Sequence, residues 1–529
     1  MARNQMQRMM KGAFVLTLAS FIAKLLSAVY RVPFQNFVGD EGFYVYQQVY
    51  PIYGLAMTLA LSGLPQFISK LVASQKNPQK QQQALDEIYP LVFWFSICLW
   101  GITFFFSGFI AVIMGNESLK PLIQVVSFTF LLVPPLSFYR GNFQGNLLMV
   151  PSAVSQVSEQ FLRVGVILLA ASAFHRFSLT IYQVGTLAMT GAFIGGVVAW
   201  LLLAYYDHKI FGTHQRFLRV PKTFTVSKRM RRKFFVEGGL LSIYSGLLIL
   251  FQLADSFFIV NALEFQGVAE QSARIAKGIY DRGQPLVQLG LVAATALSTT
   301  FLPALTACLI EQRGEQFLKS AKMYLRLTIG LALAASTGLA VLLPYINYAL
   351  FKGNAGSVAL TLFVFSIVLT ATIQAYQSIA QSQNYFRRSL KAAGWGIGVK
   401  FVVTGPFTLL FGTIGASLST LVGLVVILWY LIKQEDSRIN VFWKERHFGS
   451  KLLICTIGMV IGLLIFYALL TATVGTPVSR LQALLFSLLG VVIGGTIFIQ
   501  FAIRLELLTL REWLMIPFGK KILRFMGGK

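Results

Sequence analysis

Six ionisable side chains interrupt otherwise apolar stretches of the sequence: Lys24, Glu159, Arg163, Asp255, Arg282 and Lys400. A charged group at the centre of a bilayer costs about 2.5–3.5 kcal/mol on insertion scales, so the four cations together cost roughly 10–14 kcal/mol unless each meets water, a partner or a ligand. Glu159 and Arg163 lie four residues apart, which places them on one helix face within reach of a direct ion pair. Asp255 could balance a basic residue or hold a cation. Arg282 adjoins Asp281 near the end of its run and can reach the interface with its head group. Lys24 is too deep in its run for that, and with Arg31, seven residues on, it is expected to face a cavity. Cations in excess of acids call for an anion. At an effective dielectric near 20 a unit pair at 4 Å gains about 4 kcal/mol, so two or three such cations suffice to hold a pyrophosphate.

Other chemistries find no support. There is no GxxxxGK[ST] phosphate loop, no HExxH and no Cys/His cluster, and His175, His208, His214 and His447 all fall in loops. Cys98, Cys308 and Cys455 are scattered through apolar runs and form neither a CxxC pair nor a disulfide framework. No metal, cofactor or enzymatic activity is expected, and no carboxylates are paired at a spacing suited to glycosyl transfer.

The elements that carry these residues must be membrane helices. Of 529 residues 56% are hydrophobic and 12% charged, with a mean hydropathy of +0.69, where a soluble chain is about a quarter charged. The net charge of +26 lies in short loops between apolar runs rather than on one solvated face, which excludes a nucleic-acid binder. About 20 apolar residues cross the hydrocarbon core, and fourteen such runs are legible, from 12–30 and 43–69 through 150–173, 236–260, 282–309, 392–411 and 413–432 to 452–472 and 482–503. With the N-terminus in the cytoplasm, inside segments hold 34 of the 45 lysines and arginines and outside segments 7. That bias puts both termini in the cytoplasm. In this count Arg140 belongs to an inner loop and Lys277 to an outer one.

An internal repeat organises the runs. Pro51, Ala60-Leu61-Ser62 and Leu64-Pro65 recur as Pro285, Ala296-Leu297-Ser298 and Leu302-Pro303, at offsets of 234, 236 and 238 residues. An offset of six helices makes the halves parallel, related by an axis along the membrane normal. The expected architecture is all-α and polytopic, with about 14 transmembrane helices. Residues 1–206 and 236–432 form two six-helix lobes related by a pseudo-two-fold axis, 207–235 is a basic cytoplasmic linker, and 433–529 adds two helices and a basic amphipathic tail. The linker suits topology control and attraction to anionic lipid, and the tail, with Trp513, Phe518, Lys520, Lys521 and Arg524, suits a helix lying in the interface.

Tyr139-Arg140-Gly-Asn-Phe-Gln-Gly145 followed by Pro151-Ser-Ala-Val-Ser-Gln156-Val-Ser-Glu159-Gln160-Phe-Leu-Arg163 resembles the most distinctive block of the polysaccharide-transport family. That family belongs to the multidrug/oligosaccharidyl-lipid/polysaccharide exporter superfamily. The first helix, Ala23-Lys24 to Arg31-Val-Pro33-Phe34 before Val38-Gly39, is similar to the opening of the stage V sporulation protein B-like and lipid II flippase-like branch, and Ser298 to Pro303 and Gly398-Val-Lys400 also fit. The resemblance covers nearly the whole chain. It implies two lobes in a V and alternating access that moves a polyprenyl-pyrophosphate-linked, lipid II-like glycan outward across the bacterial cytoplasmic membrane. The implied partners are undecaprenyl-pyrophosphate-linked glycan, membrane lipid and cell-wall synthesis enzymes.

By the same resemblance Arg282, in Tyr280-Asp281-Arg282, matches a cavity arginine of the eighth helix, and Lys24 stands where the family has an arginine, without the bidentate fork. Arg31 suits the sporulation-type pattern, and Gln47 and Gln48 stand on the second helix where lipid II flippases carry arginine. Some relatives bind sodium through carboxylates in the second lobe; Asp255 is the acid left there, with Lys400 in the same lobe, which argues against such a site. The expected cavity set is therefore Lys24, Arg31, Gln47, Gln48, Glu159, Arg163, Arg282 and Lys400, with Asp255 for charge balance. The alternative is a cation-coupled multidrug exporter of the same fold, which would need acids where this sequence has a basic surplus.

Overall fold

The computed structural model describes residues 2–75, 77–212, 220–221, 226–477 and 479–515. Every regular element among them is helical. Twelve helical runs are long and apolar enough to cross a membrane. Two are too long for one crossing: Leu18–Ala73 has 56 residues and Phe386–Gln434 has 49, about 84 and 74 Å of ideal helix at 1.5 Å per residue against a hydrocarbon core of about 30 Å. Each is broken by a glycine in the left-handed region, Gly39 (φ 73°) and Gly412 (φ 58°), a conformation that costs other residues dearly. The twelve runs thus accommodate about fourteen crossings.

The chain forms two compact units, Met1–Asp281 with Phe401–Gly412, and Arg282–Lys400 with Thr413–Lys529. In the first unit α1 (Ala2–Val29), α2 (Arg31–Thr58), α3 (Leu64–Ala73), α4 (Pro78–Phe105), α5 (Ser107–Ile113), α6 (Lys120–Ser127), α7 (Val133–Gly145), α8 (Met149–Arg176) and α9 (Ile181–Phe211) are joined by α10 (Lys228–Lys233), α11 (Gly239–Ser245), α12 (Leu247–Phe265) and α13 (Glu270–Asp281). Local sequence sets several of the ends. Asn77 accepts the Gln79 amide before Pro78 opens α4, Thr180 and Gln183 cap α9 reciprocally, and Gly212 closes it at φ 64°.

Helix α2 is the axis of this unit, with every residue from Phe43 to Gly54 buried. Between lipid-soluble helices no hydrophobic force drives association, so close packing must do it, and small residues permit it. Gly191 and Gly195 on α9 sit against the backbone of α8. A Cβ at Gly195 would lie 2.6 Å from the carbonyl oxygen of Glu159, and one at Gly191 3.0 Å from that of Arg163. These two glycines set the depth at which α8 presents both side chains. Between α2 and α3 the backbone widens into a π-helical turn, Leu59–Gly63, at the Ala60-Leu61-Ser62 of the repeat; the second copy breaks instead at Leu291.

The second unit contains α14 (Gly283–Gly290), α15 (Val292–Ile310), α16 (Gly314–Phe351), α17 (Ser357–Val364), α18 (Ser366–Ser382), both ends of α19 (Phe386–Gln434), α20 (Ser437–Asn440), α21 (Phe448–Val474), α22 (Arg480–Arg504) and α23 (Leu510–Met515). The middle of α19 packs in the first unit, where Phe401 meets Phe257 and Phe258 at ring distances of 6.5 and 6.1 Å. Arg326 on α16 bridges Glu445 (3.1 Å) and Glu512 (2.6 Å), and Lys322 also pairs with Glu445. That network anchors α23, whose Trp513 is buried. The rest of the expected amphipathic tail, including Phe518, Lys520, Lys521 and Arg524, lies outside the described residues, as do Arg216, Arg219 and Lys222 of the linker.

Candidate anion-binding site

Two arginines are buried in the first unit among the rings of several tyrosines. Arg31 opens α2 and Arg163 projects from α8; both are fully buried. On α2 the spacing of Tyr46, Tyr50 and Tyr53 keeps one stripe aromatic, and Tyr30 stands at the joint with α1. The Arg31 guanidinium lies 4.5 Å from the Tyr50 ring centroid and 6.0 Å from that of Tyr30; the Arg163 guanidinium lies 4.6 Å from Tyr53 and 5.2 Å from Tyr30. The two cations therefore share the Tyr30 ring. Tyr30 donates to the Tyr46 hydroxyl at 3.1 Å, and Gln160 donates to Tyr53 at 3.4 Å, so the cage is itself tied together.

The guanidinium donors are largely unused. Arg163 donates from Nη2 to Ser27 Oγ at 3.1 Å. Nε and Nη1 of Arg163, and Nε, Nη1 and Nη2 of Arg31, have no hydrogen-bond partner among the described residues. Each buried donor left unmade costs about 1–3 kcal/mol, more when charged, and ring faces recover part of that at about 2 kcal/mol for a desolvated cation–π contact. Two permanent cations in an aromatic lining, with planar donor forks to spare, are equipped to grip a multiply charged oxyanion.

Glu159 does not neutralise Arg163, contrary to the expected pair across one helical turn. Its carboxylate meets Arg140 of α7 at 2.7 Å, both side chains buried. Arg140 also donates to Ser155 Oγ at 3.2 Å and to the carbonyl of Ala60, in the π-helical turn, at 3.1 Å. The expectation that Arg140 belongs to a loop is corrected too: α7 runs as far as Gly145, which places Arg140 a turn and more inside it. The expected outer loop at Lys277 is corrected as well: α13 buries this residue, with Nζ 2.6 Å from both Asp281 oxygens.

The remaining expected residues are distributed as follows. Lys24 is an exposed residue of α1. Gln47 is buried with its Oε1 unpartnered among the described residues, while Gln48 donates to the carbonyls of Met114 (3.0 Å) and Ser256 (2.7 Å), pinning α2 to its neighbours. Asp255 accepts from the Tyr280 hydroxyl at 3.3 Å. In the second unit Arg282 donates to Asn347 at 3.3 Å and lies 5.1 Å from the Phe351 ring, and Lys400 donates to Ser419 and Thr420, each at 2.9 Å. The structure thus brings Arg31 and Arg163 together and gives Glu159 to Arg140. The tyrosine cage was not anticipated, although its spacing on α2 is plain in the sequence. Among the described residues no group of His, Cys, Asp and Glu is arranged to hold a metal.

Residues 9–308 match the family described as "Polysaccharide biosynthesis protein". The chain is 35% identical to the Bacillus subtilis (strain 168) membrane protein YabM over 98% of this chain and 96% of that one. It is 25% identical to the lipid II flippase MurJ of the same organism over 95% and 96%. Among solved structures, a lipid II flippase MurJ in an inward closed conformation aligns with a TM-score of 0.68 at 14% identity, covering 92% of this chain and 98% of that one. Over more than half its length, and through a full-length relative at 35% identity, this multi-pass membrane chain belongs to the polysaccharide biosynthesis protein family.

Proposed function

We propose that the protein is a flippase that carries a polyprenyl-pyrophosphate-linked cell-wall or surface-glycan precursor, of the lipid II kind, outward across the bacterial cytoplasmic membrane. The observation that carries this reading is the pair of buried arginines, Arg31 and Arg163, with five guanidinium nitrogens lacking partners among the described residues. A pyrophosphate supplies both the charge and the acceptors they lack, and the membrane setting suits a substrate with a lipid tail. The family and the likeness to lipid II flippases support the same substrate class. In this reading Lys24 is a first encounter charge on α1, Gln47 offers a further polar contact, and Arg282 and Lys400 serve the second half of the chain. Two lobes alternate, both termini are cytoplasmic, and partner cell-wall enzymes deliver or consume the precursor; the helices of 236–281, expected in the second lobe, pack here in the first compact unit.

The test is genetic. A bacterium depleted of its own lipid II flippases and given this gene should regain surface-exposed lipid II and growth. Absence of rescue with the protein present in the membrane would refute the lipid II assignment and turn attention to other lipid-linked glycans. The basic character of the Arg31–Arg163 cage disfavours the multidrug-exporter alternative, which requires an acidic cavity.

A further inference from the structure

We propose that Arg140 is a positioning residue for this site: it holds Glu159 away from Arg163, and so keeps Arg163 available to an anion. The inference rests on the reading that Arg31 and Arg163 bind the pyrophosphate. Glu159 and Arg163 stand four residues apart on α8, the spacing at which opposite charges on a helix pair by default, and both are buried. In low dielectric that pairing would be strong and would consume the cation. It is absent because Arg140 occupies the carboxylate at 2.7 Å.

Arg140 is well secured for the task. Its Nε donates to Ser155 Oγ at 3.2 Å and its Nη1 to the Ala60 carbonyl at 3.1 Å, and the Ser152 hydroxyl donates to the backbone carbonyl of Arg140 at 3.4 Å. Two segments besides its own helix, the π-helical turn and α8, converge on it. With the Glu159 charge satisfied there, Arg163 turns to Tyr30, Tyr53 and Ser27, none of which carries a negative charge. Glu159 and Arg140 thus form a neutral structural pair, and Arg163 is left to share the Tyr30 ring with Arg31. The separation is a property of Arg140 rather than of the cage.

Replacing Arg140 by an apolar residue leaves Glu159 buried and uncompensated, and Arg163 is the nearest cation on its own helix. The expected outcome is loss of anion binding although neither site arginine has been touched. Removing the Glu159 charge as well should restore it, because a buried ion pair exchanged for neutral groups is often tolerated.

The experiment measures binding of farnesyl pyrophosphate to the purified full chain in lipid nanodiscs, with melting temperature followed in parallel, for wild type, Arg163→Ala, Arg140→Met and Arg140→Met/Glu159→Gln. Arg163→Ala should lose at least tenfold in affinity; wild-type affinity there overturns the site reading itself. Given that loss, the inference expects Arg140→Met to lose at least tenfold and the double variant to return to within threefold of wild type. Wild-type affinity in Arg140→Met overturns the inference, as does a folded double variant that still fails to bind. Should Arg140→Met not fold, the double variant decides alone: binding supports the inference, and a folded protein without binding overturns it.

Discussion

Arg31 and Arg163 are the decisive side chains of the site, because a buried guanidinium without acceptors is costly and persists only for a reason. A charge-assisted hydrogen bond contributes about 1.5–3 kcal/mol, so Arg31→Ala or Arg163→Ala should reduce transport by about 10- to 100-fold, with Tm unchanged or raised as a buried charge is removed. Initial flipping rates in everted vesicles, together with melting curves, check both parts. Arg31→Lys should recover little of the loss, since a compact ammonium cannot present a planar fork. At Lys24, exposed on α1, alanine should act more mildly and mainly at low ionic strength, the mark of an encounter charge; rates measured at two salt concentrations would show it.

Among the elements, α8 and α9 form the precision joint of the first unit. Gly195→Leu would drive a side chain into the Glu159 carbonyl, and overpacking of that kind costs about 1–3 kcal/mol or more. The variant should melt several degrees lower in detergent and bind farnesyl pyrophosphate poorly, since α8 carries Glu159 and Arg163; a wild-type melting curve would show that α9 can yield. Much of this element was legible in advance, but its detail was not. Composition and run length find the membrane helices because the bilayer punishes every charge and every unpaired amide. The partner of Glu159 was misjudged because spacing along one helix ranks Arg163 first, whereas Arg140 reaches it from α7 and is placed there by packing and by the π-helical turn at Leu59–Gly63. The same holds for Lys277: with the acid Asp281 a turn further on, it can be buried in α13 as half of an ion pair, and hydropathy averages do not register that cancellation.

For the whole molecule, charge asymmetry makes a prediction that owes nothing to the site. With Cys98, Cys308 and Cys455 replaced by alanine, Ser437→Cys should resist an impermeant thiol reagent added outside intact cells, and Ser479→Cys should react. The opposite pattern would invert the orientation drawn from 34 inside and 7 outside basic residues. The all-helical membrane fold was readable from the chain, down to the glycine that divides 392–432, because Gly412-Thr413 is a turn signal and takes φ 58°. Which cations stand together could not be read, since that depends on which helices touch.

Arg31 and Arg163 are proposed to grip the pyrophosphate of a lipid-linked glycan during translocation. The most direct test of this role is the purified full chain in liposomes with lipid II on one leaflet, followed by the rate at which lipid II becomes accessible on the other. The expected result is transfer by the wild type and, for Arg31→Ala/Arg163→Ala, a rate at the protein-free baseline with the protein folded. Transfer by the double variant at the wild-type rate would contradict it.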